Sequence, residues 1–340
     1  MKTVGRFIDT ANAELTCVQK PGEKEADSHR LKIASKPGDL VSALQNDCQV
    51  GGGTAWLWSA PEAQSCVDVL FVDEAAQMSL ANVLAVSQSA RALVLLGDPR
   101  QLDQPMQGSH PDGTDTSALD HVLQGARTIS AEQGLFLDET WRLHPAICAF
   151  TSEQFYDGKL HSRAGLEVQT VLGAPTAGSG LRYIAVDHVG NHNCSPEEAD
   201  VIAGLVNEIL SSGATWLNAE GVEAPISLQD ILIITPYNAQ VYEIQQRLPF
   251  ARVGTVDKFQ GQEAPVAIYS MATSSHADAP RGMEFLYSLN RLNVATSRAR
   301  CLSFLVCNPE VFEAECRNPR QMQLANAFCR YLELAKLSQS

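Results

Sequence analysis

Apolar positions in this chain come in short runs broken by acids, glycine and proline. The run at 69–72 (Val-Leu-Phe-Val) has the length of a buried strand and stops at two adjacent carboxylates, Asp73 and Glu74. Leu80, Val83 and Leu84 then recur at helical spacing. A second apolar run at 92–96 ends in Gly97-Asp98-Pro99-Arg100-Gln101-Leu102. The pattern predicts a strand–helix–strand unit with a right-handed crossover. In parallel sheets chemistry gathers at the carboxyl ends of strands, which makes Asp73 and Glu74 a candidate site.

Further strands are predicted at 135–138, 181–186, 231–235, 252–256, 266–271 and 302–306. Among them lies a helix with Ser195 as N-cap, Pro196 as first residue, Glu198 reaching back in a capping box, and Gly213 at its end. Before residue 50 the pattern gives a helix over about 4–15, a loop at 19–25 and a short helix over 39–44. Residues 103–117 read as loop. The class is α/β, and the domain boundary is expected between Gly125 and Gly134, giving domains 1–130 and 131–340.

Composition narrows the function only by exclusion. The chain has 340 residues, 45% hydrophobic and 19% charged, with no apolar run of membrane-spanning length. It lacks the apolar segment of a signal peptide, so a cytoplasmic location is expected. Nine scattered cysteines form no C-x-x-C pair, an arrangement that disfavours zinc or iron–sulfur ligation. A net charge of −14 disfavours bulk electrostatic coating of nucleic acid but leaves room for a narrow basic groove.

The motifs gain weight from their order. After the Asp73-Glu74 strand and Gly97–Leu102 come Glu139-Thr140-Trp141-Arg142-Leu143-His144-Pro145 and Ile234-Thr235-Pro236-Tyr237-Asn238-Ala239-Gln240. Thr255-Val256-Asp257-Lys258-Phe259-Gln260-Gly261-Gln262-Glu263 and Arg291-Leu292-Asn293-Val294-Ala295-Thr296-Ser297-Arg298-Ala299-Arg300 follow. This series resembles motifs II to VI of superfamily 1 helicases, in the branch of the up-frameshift RNA helicase, over residues 50–308. The stretches Gly53–Leu57 and Asp73–Asn82 look closer still to the helicase half of bacterial proteins that carry a RecB-like nuclease.

The resemblance implies two RecA-like parallel-sheet domains of the P-loop NTPase fold, the first one incomplete. ATP would lie between them and a nucleic-acid strand across the top. It implies that Asp73 holds Mg²⁺, that Glu74 activates water and that Gln101 senses the γ-phosphate. Arg142 and Arg298 would reach that phosphate, and Gly261 and Glu263 the nucleotide's phosphates and ribose. Thr54, Pro236 and Thr255 would line the strand's backbone. Cationic forks suit the charge on the equatorial oxygens of a loose phosphoryl-transfer transition state. Arg291 and Arg298, seven residues apart, share a helix face about 10 Å apart. One could reach ATP while the other tethers the helix or a phosphate, and Arg291 is grouped with the nucleotide contacts. Arg300 is expected to point elsewhere.

Several residues carry two readings. Tyr237 either stacks on a base or packs in the interior, and Lys258 either touches phosphate or is solvated. His144 is expected to cap a helix, and Trp56, Trp58 and Trp141 to be core.

The chain departs from the family in having no G-x-x-x-x-G-K-[ST]. That leaves three readings: a helicase motor segment entered partway through its first domain, a nucleic-acid-binding or regulatory module that does not hydrolyse ATP, and a nuclease component. The third lacks a further acid cluster for a two-metal site. Single-stranded nucleic acid is the expected partner, with DNA favoured over RNA, together with a RecB-like nuclease domain or a chain supplying the missing loop. An incomplete first sheet is expected to expose an unpaired edge.

Overall fold

The computed structural model describes residues 15–20, 31–102, 116–173 and 177–337. The chain divides into two units. One is Met1–Pro99 with Asp103–Gly125, the other Arg100–Leu102 with Ala126–Ser340. Both are α/β, and their larger sheets are parallel. Among the described residues no helix is long and apolar enough to cross a membrane.

The first unit holds two small parallel sheets. Strands β1 (Cys17–Gln19), β2 (Leu31–Ile33) and β3 (Val50–Gly52) pair in the order β2-β1-β3. The expected loop at 19–25 therefore begins as a strand, because Cys17 and Val18 are buried between two neighbours. Helix Pro37–Asn46 covers the position read as a short helix. The expected helix near the N-terminus and most of the 103–117 loop lie outside the described residues. Strands β4 (Val67–Val72) and β5 (Ala90–Leu95) form the second pair, linked through helix Leu80–Ser87. That helix buries Val83 and Val86, while Leu84 faces solvent, contrary to the sequence reading. One face of the β4–β5 pair buries Leu70 and Val72. The other leaves Phe71 64% exposed, although both faces of a parallel sheet are usually covered.

The second unit begins with β6 (Glu139–Thr140) and β7 (His161–Ser162), a short parallel pair. Strand β8 (Thr170–Leu172) joins β10 (Thr215–Leu217) and β11 (Glu223–Pro225) in an antiparallel sheet. The main sheet adds β9 (Gly180–Ala185), β12 (Ile231–Thr235), β13 (Arg252–Thr255), β14 (Ala264–Ser270), β15 (Ala299–Cys307) and β16 (Lys336–Leu337). Its order is β13-β12-β14-β15-β9-β16, with every pairing parallel. Alternation along β12 shows the layering. Ile231 and Ile233 join one core with helices Pro196–Ser211 and Asn238–Arg247. Leu232 and Ile234 join the other with helices Pro145–Phe155, Leu289–Ser297 and Pro319–Leu334. A sheet covered on both faces reads as near-continuous apolar runs, which is why these strands were visible in the sequence.

Two expectations fail here. Residues 135–138 are not a strand: Leu135 and Leu137 are exposed, and pairing starts only at Glu139. Glu198 does not reach back to its helix start, although Ser195 does cap it by accepting from the Glu198 N–H at 3.1 Å. The Ser195 N–H donates to Gln240 Oε1 instead (2.7 Å). The Glu198 carboxylate is buried and accepts from the Ser270 hydroxyl (2.6 Å) and the Ala272 N–H (3.0 Å). His188 Nε2 lies 3.0 Å from its other oxygen. Three tertiary donors outcompete the local one.

Candidate functional site

In the first unit β4 delivers Asp73 and Glu74, both exposed, to its carboxyl end. The Glu74 N–H donates to Asp73 Oδ1 (3.0 Å), and Glu74 adopts φ +53°, a conformation few side-chain-bearing residues take. The turn is seated against the end of β5. The Ala75 N–H donates to the Leu96 carbonyl (2.8 Å), and a Cβ on Gly97 would meet the Ala75 nitrogen at 3.0 Å. Only glycine lets the two strand ends approach this closely. A single carboxylate such as Asp73 fits Mg²⁺, which takes one or two protein carboxylates and completes its shell with phosphate and water. Thr54 is exposed at the start of helix Ala55–Trp58. Trp58 is core as expected, but Trp56 is 88% exposed.

In the second unit the remaining residues separate to the two ends of the main sheet. At the amino end, Glu263 precedes β14 and Arg298 precedes β15, adjacent parallel strands in register at Ala264 and Ala299. Glu263 takes Arg142 on one carboxylate oxygen and Arg300 on the other. Arg300 thus joins the cluster rather than pointing away from it. Burial alone would push the Glu263 carboxyl up, but the two guanidinium groups outweigh it and hold the group below its ordinary value. Arg142 is also tied through its backbone. Its N–H donates to Thr140 Oγ1 (3.3 Å), and its carbonyl accepts from Gln169 (2.9 Å).

Arg298 is buried and donates to the carbonyls of Val294 (3.1 Å) and Gln262 (3.3 Å) and to Gln101 Oε1 (3.1 Å). Gln101 is placed because Asn293 donates to the Arg100 carbonyl (2.7 Å) and Leu102 enters the core of the second unit. Gly261 occupies an exposed turn at φ +70° just before Glu263. Of the residues expected to serve the nucleotide, Arg142 meets Glu263 and Arg298 meets Gln101, whereas Arg291 lies elsewhere. The cluster holds two guanidinium groups, Arg142 and Arg300, against the Glu263 carboxylate, with Arg298 bonded to Gln101 at the same end of the sheet.

At the carboxyl end, Pro236 and Tyr237 follow β12 and Thr255 ends β13, with Thr235 and Thr255 paired in register. Tyr237 is buried and packs on Phe285 at 5.4 Å between ring centroids, so its face is not offered to a base. Lys258 donates to the Val253 carbonyl (2.8 Å). Arg291 lies here too, 4.0 Å from the Phe285 ring, and not with Glu263. It lies in the first turn of helix Leu289–Ser297, whose C-cap is Arg298. Sequence reasoning missed Arg281, which lies 4.0 Å from the same ring and belongs to no motif.

His144 is the N-cap of helix Pro145–Phe155, as expected. Its Nδ1 accepts from the Ala146 N–H (3.0 Å), and burial holds its pKa below the ordinary value. Trp141 is exposed with the Arg163 guanidinium 3.5 Å above its ring, so it is not core.

A family profile described as "AAA domain" (AAA_12) matches residues 115–310, more than half of the chain. Helicase sen1 of Schizosaccharomyces pombe is 26% identical over 263 residues, covering 72% of this chain and 15% of that protein. The DNA polymerase alpha-associated DNA helicase A of the same organism is 28% identical over 254 residues, covering 68% of this chain and 36% of that protein. DNA-binding protein SMUBP-2 of Rattus norvegicus is 29% identical over 300 residues, covering 84% of this chain and 29% of that protein. The chain spans little more than a third of the length of these relatives at most.

Proposed function

Because the chain belongs to the AAA domain family (AAA_12), we propose that it is a motor segment of a superfamily 1, up-frameshift-like helicase. It acts on single-stranded nucleic acid, DNA in preference to RNA, and couples Mg-ATP hydrolysis to strand movement together with a phosphate-binding loop that these residues do not carry. The names of the similar proteins, two of them DNA helicase and DNA-binding protein, support the preference for DNA. Asp73 would hold Mg²⁺ and Glu74 would orient the attacking water. Arg142 and Arg298 would meet the γ-phosphate with Gln101 as reporter. Gly261 and Glu263 would contact the rest of the nucleotide, and Thr54, Pro236 and Thr255 the strand.

The observation that carries this reading is that Arg142 and Arg300 share the Glu263 carboxylate while Arg298, buried at the same end of the sheet, donates to Gln101. Two cations against one carboxylate leave local positive charge, which suits the charge spread over a transferring phosphoryl group. A cationic finger of this kind is worth roughly 10³–10⁵ in rate. A second reading, a nucleic-acid-binding module that does not hydrolyse ATP, is favoured by the missing G-x-x-x-x-G-K-[ST].

The test is anisotropy with labelled single-stranded DNA and RNA oligonucleotides, alongside ATP turnover with Glu74→Gln as control. The expected result is DNA binding stronger than RNA binding, with turnover far below helicase rates in the chain alone. Binding of neither strand overturns the reading. Rapid turnover that Glu74→Gln abolishes overturns the need for the loop.

A further inference from the structure

The helix Leu289–Ser297 places its two arginines in opposite electrostatic situations. Arg298 is surrounded by protein acceptors. Arg291, with Arg281, lies 4.0 Å from the centre of the Phe285 ring, so the two guanidinium carbons are within twice that distance of each other. Among the described residues neither side chain has a carboxylate partner. Two like charges held against one aromatic ring, neither with a carboxylate partner among the described residues, repel each other.

The floor beside them is polar and unsatisfied. Tyr237 and Tyr269 are both more than nine-tenths buried, and neither hydroxyl makes a hydrogen bond of ordinary geometry. The Thr273 hydroxyl is near Tyr237 but donates to the His192 carbonyl (2.7 Å). Burial pushes both phenols up, against the nearby Arg281 and Arg291 charges at Tyr237 and the Arg291 charge at Tyr269, so both remain protonated donors at neutral pH. A buried donor without an acceptor is costly, and native proteins rarely leave one without a reason.

We propose that Arg281 and Arg291, held on Phe285 beside Tyr237 and Tyr269, form a binding site for a phosphate oxyanion of a single nucleic-acid strand. Planar guanidinium forks match phosphate oxygens. The site sits at the carboxyl ends of β12 and β14, beside Pro236, and at the opposite end of the helix from Arg298. The same chemistry could come from a nucleotide phosphate, but the place favours the strand. The inference rests on the reading of the chain as nucleic-acid-acting. It moves Arg291 from the nucleotide to the strand and adds Arg281, which nothing else assigns.

The experiment measures the affinity of the whole chain for a labelled single-stranded DNA oligonucleotide across a salt series, and separately for a fluorescent ATP analogue. Arg281→Gln should weaken the oligonucleotide about fivefold to tenfold and lower the slope of log affinity against log salt by about 0.7, as loss of one phosphate contact requires on a single strand. Arg281→Lys should recover part of both. Phe285→Leu, which keeps the apolar packing and removes the ring, should give a smaller loss in the same direction. Unchanged oligonucleotide affinity and slope in Arg281→Gln overturns the inference and leaves the motor reading standing. Weakened nucleotide binding with intact oligonucleotide binding assigns the site to the nucleotide and overturns it as well. If the unaltered chain binds no oligonucleotide, both fall.

Discussion

The amino and carboxyl ends of the six-stranded sheet each hold arginines, and they hold them differently. At the amino end Arg142 and Arg300 are tied to Glu263, and Arg298 is buried among carbonyls and Gln101. At the carboxyl end Arg281 and Arg291 rest on an aromatic ring with no carboxylate partner among the described residues. A paired guanidinium is held in place before any ligand arrives. An unpaired one is left for an anion that comes from outside. The difference separates a cluster built for geometry from one built to attract charge.

The carboxyl end can be broken most severely through its foundation. Glu198 ties helix Pro196–Ser211 to the end of β14 through Ser270 and Ala272 and to the residues after β9 through His188, all buried. Glu198→Leu strands those donors and should cost about 3–4 kcal/mol. On a unit of this size that lowers Tm by roughly 10 °C, measurable by calorimetry.

Glu263→Gln breaks the contrast itself, because it leaves the amino-end arginines as unpaired as those at the other end. About a third of each side chain is exposed, which reduces the cost to about 1–2 kcal/mol. Added inorganic phosphate should then raise Tm more in the variant than in the unaltered chain, since an anion can replace the lost carboxylate. Equal responses would mean that Glu263 does not balance the cluster.

The smallest effect is in pH. His144 must be neutral for Nδ1 to accept from Ala146, and burial holds its folded pKa below 6.5. Its contribution is complete above that unfolded value and is lost as pH falls below it. Glu263 is held below 4.5, so its contribution is present above that value and disappears as pH falls through the folded pKa. Thermal melts should therefore show a shallow decline below about pH 6.5 and a further one below about pH 4.5. His144→Asn, which keeps a capping side chain, should remove only the first.

How far the sequence foretold these features depended on burial. Strands β12 and β14 are apolar on both faces and stand out as runs, whereas β1 to β3 have three residues each, too few for any period to show. The Ser195–Glu198 spacing matched a capping box, but the sequence holds no sign that Ser270 and Ala272, more than seventy residues later, would claim the carboxylate. Trp56 and Trp141 were assigned to the core on residue type, and their exposure follows from tertiary placement alone. Arg142 and Arg298 sit in motifs of recognisable order, but Arg300, in the same motif as Arg298, was expected to point elsewhere and reaches Glu263 only in the fold. Arg281 sits in none, although it lies only four residues before the Phe285 ring it rests against.

The most direct test compares Arg142→Gln with Arg291→Gln, measuring oligonucleotide and nucleotide affinity on each. The account predicts a crossed result, in which Arg142→Gln loses mainly the nucleotide and Arg291→Gln mainly the oligonucleotide, with a shallower salt slope. Loss of the same ligand in both variants would contradict it, because the two ends of the sheet would then serve one site.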